Sequence, residues 1–352
     1  MKEIIKKFTK AQDSLVTQQS DFSLSAIADM VNHDSIDIAP HYQRRDRWAV
    51  DKQSALIESF LLNVPVPPVY LSEDDYGTYT VIDGKQRITA IYEFLMGKYK
   101  LKDLKELPEL NGFYFKDLPE QLKRALSIRP FIRVITLLKQ SNPELKYEVF
   151  LRLNTGGEKL KPQEIRNVAY SGELNDLLFD LSENDFLKRK MKITSTKSAS
   201  YRNMDDLELV LRFFTIQEGW ERLGKKISIA MDDFMSKNRN PDVEQLRAMF
   251  NRSIFACEQI WGQHAFEKPQ NGGWRDQLIT PLYDAQMVAI TLLDDDKIEY
   301  LAENSDAVLN ATAALYSEDK DFLKSVSQAT GDTSAINIRV SKLYEMLVNL
   351  EA

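Results

Sequence analysis

The chain has 352 residues, of which 43% are hydrophobic and 28% charged, and its formal net charge is −7. This length exceeds one average domain, so two domains are expected. The composition is typical of a water-soluble globular protein, and no apolar run approaches the ~18 residues that a membrane span needs. The first residues lack the apolar stretch of a secretory signal, so a cytoplasmic location without a membrane partner is expected.

One cysteine, Cys257, excludes an internal disulfide bond, and the three histidines show no zinc-ligand spacing with it. We expect Cys257 to be a packed apolar thiol.

The first predicted elements are a short strand, a basic turn and a helix. An apolar stretch from Ile36 to Ile38 leads into residues 42–48, YQRRDRW, where three arginines within four positions favour an exposed turn. Residues 51–62 place apolar side chains at helical spacing, and Asp51 is suited to the N-cap. The prolines of the sequence PVPP then end this helix and lead into a second strand, residues 69–71.

The next stretch, residues 79–94, reads YTVIDGKQRITAIYEF and predicts a strand, a tight turn and the start of a helix. Such a junction directs backbone N–H groups and the positive end of the helix dipole at one place, and here Lys85 and Arg87 lie at that place. This pattern favours binding of an anion such as a nucleotide phosphate. The alternative is an ordinary structural turn, because Asp before Gly is common turn chemistry.

A further transition from apolar residues to glycine lies at residues 149–160, VFLRLNTGGEKL. It is followed by KPQEIRN, in which Pro162 is suited to the first turn of a helix.

Four motifs in a fixed order resemble a known family: YQR followed by Trp48, then PVPP, IDGKQR, and RLNTGG followed by EIR. Over roughly residues 20–175 they are similar to the bacterial domain-of-unknown-function family that forms the N-terminal part of GmrSD-type restriction enzymes. The resemblance implies a fold like that of ParB and sulfiredoxin. We therefore predict an α+β chain, with a ParB-like mixed domain at 1–175 and an all-helical domain at 176–352.

The central motif of that family, Asp-Gly-Gln-Gln-Arg, implies binding and hydrolysis of a nucleoside triphosphate with a divalent cation such as Mg²⁺. It falls here on residues 83–87, with Lys85 in place of the first glutamine. The resemblance assigns catalytic roles to Asp83, Gln86 and Arg87 and nucleotide contacts to Gly84 and Lys85. Arg87 would contact phosphate with two donors and Lys85 as a point charge, while Asp83 would hold the metal or orient a water.

Four further residues are candidates for the other walls of this nucleotide pocket: Gln43, Arg44, Arg152 and Asn154. The alternative for Arg44 and Arg152 is a buried ion pair with Asp83 or Glu164.

The second half of the chain repeats apolar residues at helical spacing from about residue 170 onward. It contains a basic segment that is a candidate DNA contact, formed by Lys188, Arg189, Lys190 and Lys192. The alternative is a solvated charged surface. Since the whole chain is acidic, DNA contact would have to be local.

The helical half contains a single histidine, His264, and therefore lacks the paired histidines of a His-Asn-His nuclease. DNA cleavage of the His-Asn-His type would then have to come from a partner protein. We expect a protein of a restriction or anti-phage system that binds and hydrolyses a nucleoside triphosphate, with the nucleotide state controlling engagement of DNA or a partner. The alternatives are a non-catalytic ParB-like interaction module and, less favoured, a DNA-nicking nuclease that uses Asp83 and Glu164.

Overall fold

A computed structural model describes residues 3–5, 8–9, 15–38, 48–141, 149, 152–153, 161–170, 172–196, 198–224 and 226–351. The chain divides into two compact units, Met1–Ala169 and Tyr170–Ala352. We call these the N-terminal unit and the helical unit.

The N-terminal unit is built on a five-stranded mixed sheet in the order β1-β5-β3-β4-β2. Strands β1 and β5 pair antiparallel, β5 and β3 parallel, β3 and β4 antiparallel, and β4 and β2 parallel. The strands are β1 Thr17–Ser23, β2 Ile36–Asp37, β3 Val69–Asp75, β4 Thr78–Asp83 and β5 Phe131–Leu137. This sheet, together with the helices around it, confirms the predicted α+β class.

Five α-helices of the N-terminal unit have described bounds: α1 Leu24–Asn32, α2 Val50–Leu61, α3 Lys85–Leu95, α4 Glu120–Ile128 and α5 Pro162–Ala169. The predicted helix after the basic turn is α2, but Asp51 lies in its first turn, and Ala49 is the N-cap without a capping side chain. The prediction that Pro162 begins a helix is confirmed.

The core of the N-terminal unit lies between the sheet and its helices. Helix α3 contributes Ile88, Ile91 and Phe94, which occupy one face because they are three residues apart. They belong to the same buried cluster as Val69 and Val81 of the sheet. The strand before α3 and the helix itself are therefore both fixed by burial, which holds the turn between them in place.

The helical unit contains eleven helices with described bounds and one short hairpin. The helices are α6 Glu173–Ser182, α7 Asp185–Lys190, α8 Ala199–Asn203, α9 Asp205–Gly219, α10 Ile227–Lys237, α11 Val243–Trp261, α12 Thr280–Thr291, α13 Asp295–Glu303, α14 Ser305–Glu318, α15 Lys320–Ser327 and α16 Thr333–Asn349. The hairpin pairs β6 Lys268–Gln270 with β7 Gly273–Arg275. Cys257 on α11 is buried, as predicted. Within the described parts of the chain, no helix is both long and apolar enough to cross a bilayer.

Glu58, a buried residue of α2, anchors the segment that follows α3. Its carboxylate accepts hydrogen bonds from the backbone N–H groups of Lys105, Glu106 and Leu107, at 3.3, 2.8 and 2.9 Å. Burial by itself raises the pKa of Glu58, but the three backbone hydrogen bonds outweigh it and lower the pKa overall.

Replacing Glu58 with glutamine is expected to lower the free energy of unfolding by about 1–3 kcal/mol at pH 7, because a charged acceptor of backbone N–H groups is lost. The folded-state pKa lies below the unfolded value, so this stabilisation is complete above the unfolded pKa and is lost as the pH falls through the folded pKa. Urea unfolding of the wild-type protein and of Glu58→Gln, at pH 7 and near pH 3, measures this stabilisation. The difference between their free energies of unfolding should be smaller near pH 3. An equal difference at the two pH values would contradict the argument. Exposed Glu109→Gln is the control.

Candidate functional site

Gly84 joins the end of β4 to the start of α3. Its φ is +97°, a left-handed conformation that glycine adopts readily. A Cβ atom at this position would lie 2.4 Å from Cγ1 and 2.9 Å from Cβ of Val69, which is itself fully buried in β3. Glycine is therefore required here by the backbone conformation and by close packing on the sheet.

The first turn of α3 carries two basic residues and no acidic one. Its N-cap, Gly84, supplies no side-chain acceptor. A cation where the helix dipole is already positive is unfavourable by about 0.3–1 kcal/mol, and for Arg87 the ion pair with Asp83, just before the helix, offsets this cost. Residues 83–87 are all partly exposed. The helix dipole and the two basic side chains would favour an anion at this turn.

Arg87 connects the Gly84 junction by hydrogen bonds to the two residues that precede β3. Its Nη1 donates to the carbonyl oxygens of Pro67 at 2.7 Å and Pro68 at 3.0 Å. Its Nη2 donates to Oδ2 of Asp83 at 2.5 Å. Three of the five guanidinium N–H groups are thus engaged by described residues, and two have no hydrogen-bond partner among those residues. The sequence predicted the PVPP motif as the end of a helix, the lead into a strand and a family motif, but it did not predict that its carbonyls are partners of Arg87.

Asp83 pairs with Arg87 one helical turn away, and its side chain is 42% exposed whereas that of Arg87 is 12% exposed. Asp83 therefore positions Arg87 in this structure. The alternative in which Arg44 or Arg152 pairs with Asp83 or Glu164 stays a prediction, and Arg44 lies outside the described residues. Within the described ranges there is no group of three or more histidine, cysteine, aspartate or glutamate residues suited to a metal ion.

Gln86 links the junction to the end of the basic turn. Its Oε1 accepts the backbone N–H of Trp48 at 3.0 Å, and Trp48 is the first described residue after 39–47. The Trp48 ring packs against the core of the N-terminal unit and has the Lys52 Nζ 4.9 Å from its centroid. Gln86 therefore holds the backbone of Trp48, two residues before the start of α2.

The predicted site is thus only partly described. Asp83, Gly84, Lys85, Gln86 and Arg87 come together at one turn, as the motif predicted. Gln43, Arg44 and Asn154 lie outside the described residues, and Arg152 is an exposed described residue. Glu164 is 1% exposed, and its Oε2 accepts the backbone N–H of Lys161 at 2.7 Å at the start of α5.

The basic segment of the helical unit is matched by acids from elsewhere in the same unit. Four ion pairs connect them: Lys188 with Glu183 at 2.5 Å, Arg189 with Glu258 at 2.5 Å, Lys190 with Glu267 at 2.5 Å, and Lys192 with Asp276 at 2.8 Å. The hydrogen bond and charge of Lys192 lower the pKa of the Asp276 carboxyl. The local sequence could not reveal three of these acids, because they follow at least 69 residues later. DNA contact by these side chains stays a prediction, and it would require exchange of these pairs for phosphate.

Comparison with protein families finds that residues 27–171 match the model of the GmrSD restriction endonuclease, N-terminal domain. Comparison with curated proteins and with solved structures finds no match. The likeness to the ParB and sulfiredoxin folds therefore stays a prediction. The family match associates this part of the chain with restriction and defence against phage. Residues 27–171, which contain the Gly84 junction and its partners, belong to the family of GmrSD restriction endonuclease N-terminal domains.

Proposed function

We propose that the N-terminal unit binds a nucleoside triphosphate at the Gly84 junction and hydrolyses it, and that the nucleotide state controls engagement of DNA or a partner protein. The observation that carries this proposal is the first turn of α3. Two cations and a helix N-terminus converge there without a first-turn acid, on a glycine that brings the backbone close to β3. This arrangement suits phosphate oxygens.

The residues of this turn would make different contacts with the nucleotide, because their donor groups differ. The backbone N–H groups after Gly84 would face phosphate oxygens, Lys85 would add a mobile point charge, and Arg87 would donate from the N–H groups that its protein partners leave over. Gln43, Arg44, Arg152 and Asn154 would form the remaining walls of the pocket. Mg²⁺, if it accompanies the nucleotide, would be held by phosphate oxygens and Asp83 and would neutralise charge that develops during phosphoryl transfer.

The link between Gln86 and Trp48 suggests how nucleotide binding is transmitted. A ligand that contacts residues 84–87 would alter the position of Gln86, and with it the end of the basic turn. The turn carries Arg44, Arg45 and Arg47, which are suited to phosphate or to an acidic partner surface. We propose that this turn connects nucleotide binding to the engagement of DNA or of a protein that supplies nuclease activity.

A second candidate is a non-catalytic interaction module that binds nucleotide or partner without turnover. The Asp83–Arg87 ion pair favours it, because a carboxylate already paired with an arginine is less available to a metal or a water. This candidate keeps the phosphate contacts and differs only in turnover, so binding and hydrolysis must be measured separately.

The decisive experiment measures phosphate release from ATP, GTP and CTP with magnesium, with and without duplex DNA, together with direct nucleotide binding. Arg87→Ala is expected to weaken nucleotide binding by at least about tenfold, since hydrogen bonds to a charged group contribute about 1.5–3 kcal/mol. Asp83→Ala is expected to abolish turnover while some binding remains.

Arg124→Ala is the matched control, because Arg124 is an exposed arginine on α4 of the same unit. Thermal unfolding of each variant separates a lost site from a lost fold. Binding without turnover in the wild-type protein would select the interaction module. Absence of both binding and turnover would reject the nucleotide proposal.

A further inference from the structure

The helical unit contains a pocket of about 610 Å³ that the proposed nucleotide function does not use. It opens beside the first turns of α9 and the ends of the segments that precede α8 and α12. Six charged residues line it: Lys190, Lys192, Asp205, Glu208, Arg212 and Asp276. Its volume is within the range of pockets that bind small molecules in proteins.

One of the charged residues of this pocket, Arg212, is buried, with 8% of its surface exposed. Its Nε and Nη2 donate to the two carboxylate oxygens of Asp284 at 2.6 and 2.7 Å. Asp284 also accepts from Arg339, and both of these residues are fully buried. Arg339 is in turn fixed by the carbonyl oxygens of Ser325 and Thr330, at 3.2 and 2.9 Å. The guanidinium of Arg212 is therefore held rigidly in one orientation.

This orientation leaves the Nη1 of Arg212 for a ligand. Among the described residues it has no hydrogen-bond partner, and it is not among the atoms sealed from solvent. Two arginines share the single charge of Asp284, so the buried triad has a net charge of +1 facing the pocket. Burial alone lowers the pKa of Arg212, but the charge and hydrogen bonds of Asp284 raise it overall, which keeps the guanidinium charged.

The other charges of the pocket limit what can bind. Lys190 and Lys192 are already paired with Glu267 and Asp276, and Asp205 and Glu208 add two more carboxylates. Three basic and three acidic side chains make the lining neutral as a whole. A polyanion such as duplex DNA gains little from such a wall, whereas a single oxyanion can accept a hydrogen bond from Nη1 of Arg212.

We propose that this pocket binds a small organic oxyanion, whose phosphate or carboxylate group contacts Nη1 of Arg212. The site lies in the helical unit and does not depend on nucleotide binding at the Gly84 junction. An arginine that is already held in place by a buried carboxylate loses little conformational entropy when it binds an anion. It is therefore expected to bind the anion more tightly than a flexible surface arginine would.

The Nε–H of Arg212 provides a site-specific measurement, because its bond to Asp284 protects it from exchange. The full-length protein labelled with ¹⁵N-arginine is titrated with sodium phosphate and, separately, with sodium acetate, against sodium chloride at equal ionic strength. We expect a saturable shift of the Arg212 Nε–H resonance with at least one of the two oxyanions. Arg212→Lys assigns the resonance.

Ser200→Trp tests the pocket without touching the triad, since Ser200 is a partly exposed residue of its wall and the indole would fill the space. We expect this variant to keep its fold and to lose the saturable shift, and Lys85→Glu at the Gly84 junction to retain it. A resonance that is unchanged by phosphate and acetate would overturn the proposal. So would a shift that persists in Ser200→Trp, or one that only duplex DNA produces.

Discussion

Asp284→Asn is expected to lower the free energy of unfolding of the helical unit by about 3–5 kcal/mol, the cost of breaking a buried ion pair by neutralising one partner. The carboxylate stands between Arg212 and Arg339, and no more than 8% of any of the three residues is exposed. Without its charge, two buried guanidinium groups face each other. Burial already lowers the pKa of Arg339, and the nearby charge of Arg212 lowers it further, which is the direction expected where cations are disfavoured.

Urea unfolding followed by tryptophan fluorescence measures this loss, because Trp220, Trp261 and Trp274 all lie in the helical unit. The matched control is Asp295→Asn, which removes the charge from an exposed pair with Arg252. Exposed pairs contribute only about 0–1 kcal/mol, so the control should unfold nearly like the wild-type protein. Equal effects of the two substitutions would mean that the triad does not stabilise this unit.

The second large effect is expected for Gly84→Ala. The alanine Cβ would overlap with the side chain of Val69, and φ of +97° disfavours any L side chain. Left-handed backbone costs about 1–2 kcal/mol and overpacking about 1–3 kcal/mol, so we expect a loss of about 2–5 kcal/mol. Since the same change shifts the first turn of α3, nucleotide binding should be lost as well.

Gly77→Ala separates these two contributions. Gly77 has a similar φ of +81°, but a Cβ there would meet nothing within 4 Å. It should therefore show only the conformational cost and should leave nucleotide binding unchanged. If both alanine variants lost the same stability, close packing against Val69 would not be the reason for glycine at position 84.

The Gly84 junction is an example of structure that can be predicted from neighbouring residues alone. Its strand, glycine turn and helix follow from a β-branched run, an Asp-Gly pair and an apolar stripe, all within 16 residues. Pro162 at the start of α5 is predictable for the same reason, since the residues that determine it are its neighbours. Asp51 is a small failure of the same kind, because the N-cap is Ala49 and the helix begins two residues earlier than the capping chemistry of Asp51 suggested.

The partners of charged side chains were much less predictable. The role of Asp83 toward a metal or a water stays a prediction, whereas its ion pair with Arg87 and the bonds of Arg87 to two proline carbonyls before β3 were not predicted. The basic segment of the helical unit reads as an excess of positive charge, but the fold brings acids to it from residues 183, 258, 267 and 276. The rigid arginine at position 212 has no local signal at all.

Strands β1 and β5 and the β6–β7 hairpin were not predicted. By itself, the sequence predicted strands β2, β3 and β4, helices α2, α3 and α5, a helical second half, and the turn that gathers cations at a helix N-terminus. Each of these depends on residues within a few positions of one another, through backbone preference and the burial of one face. Only the tertiary structure decided which charges are neutralised and which donors remain for a ligand. Those outcomes depend on side chains that are distant in sequence. No periodic pattern in the sequence indicates which distant charges will form an ion pair.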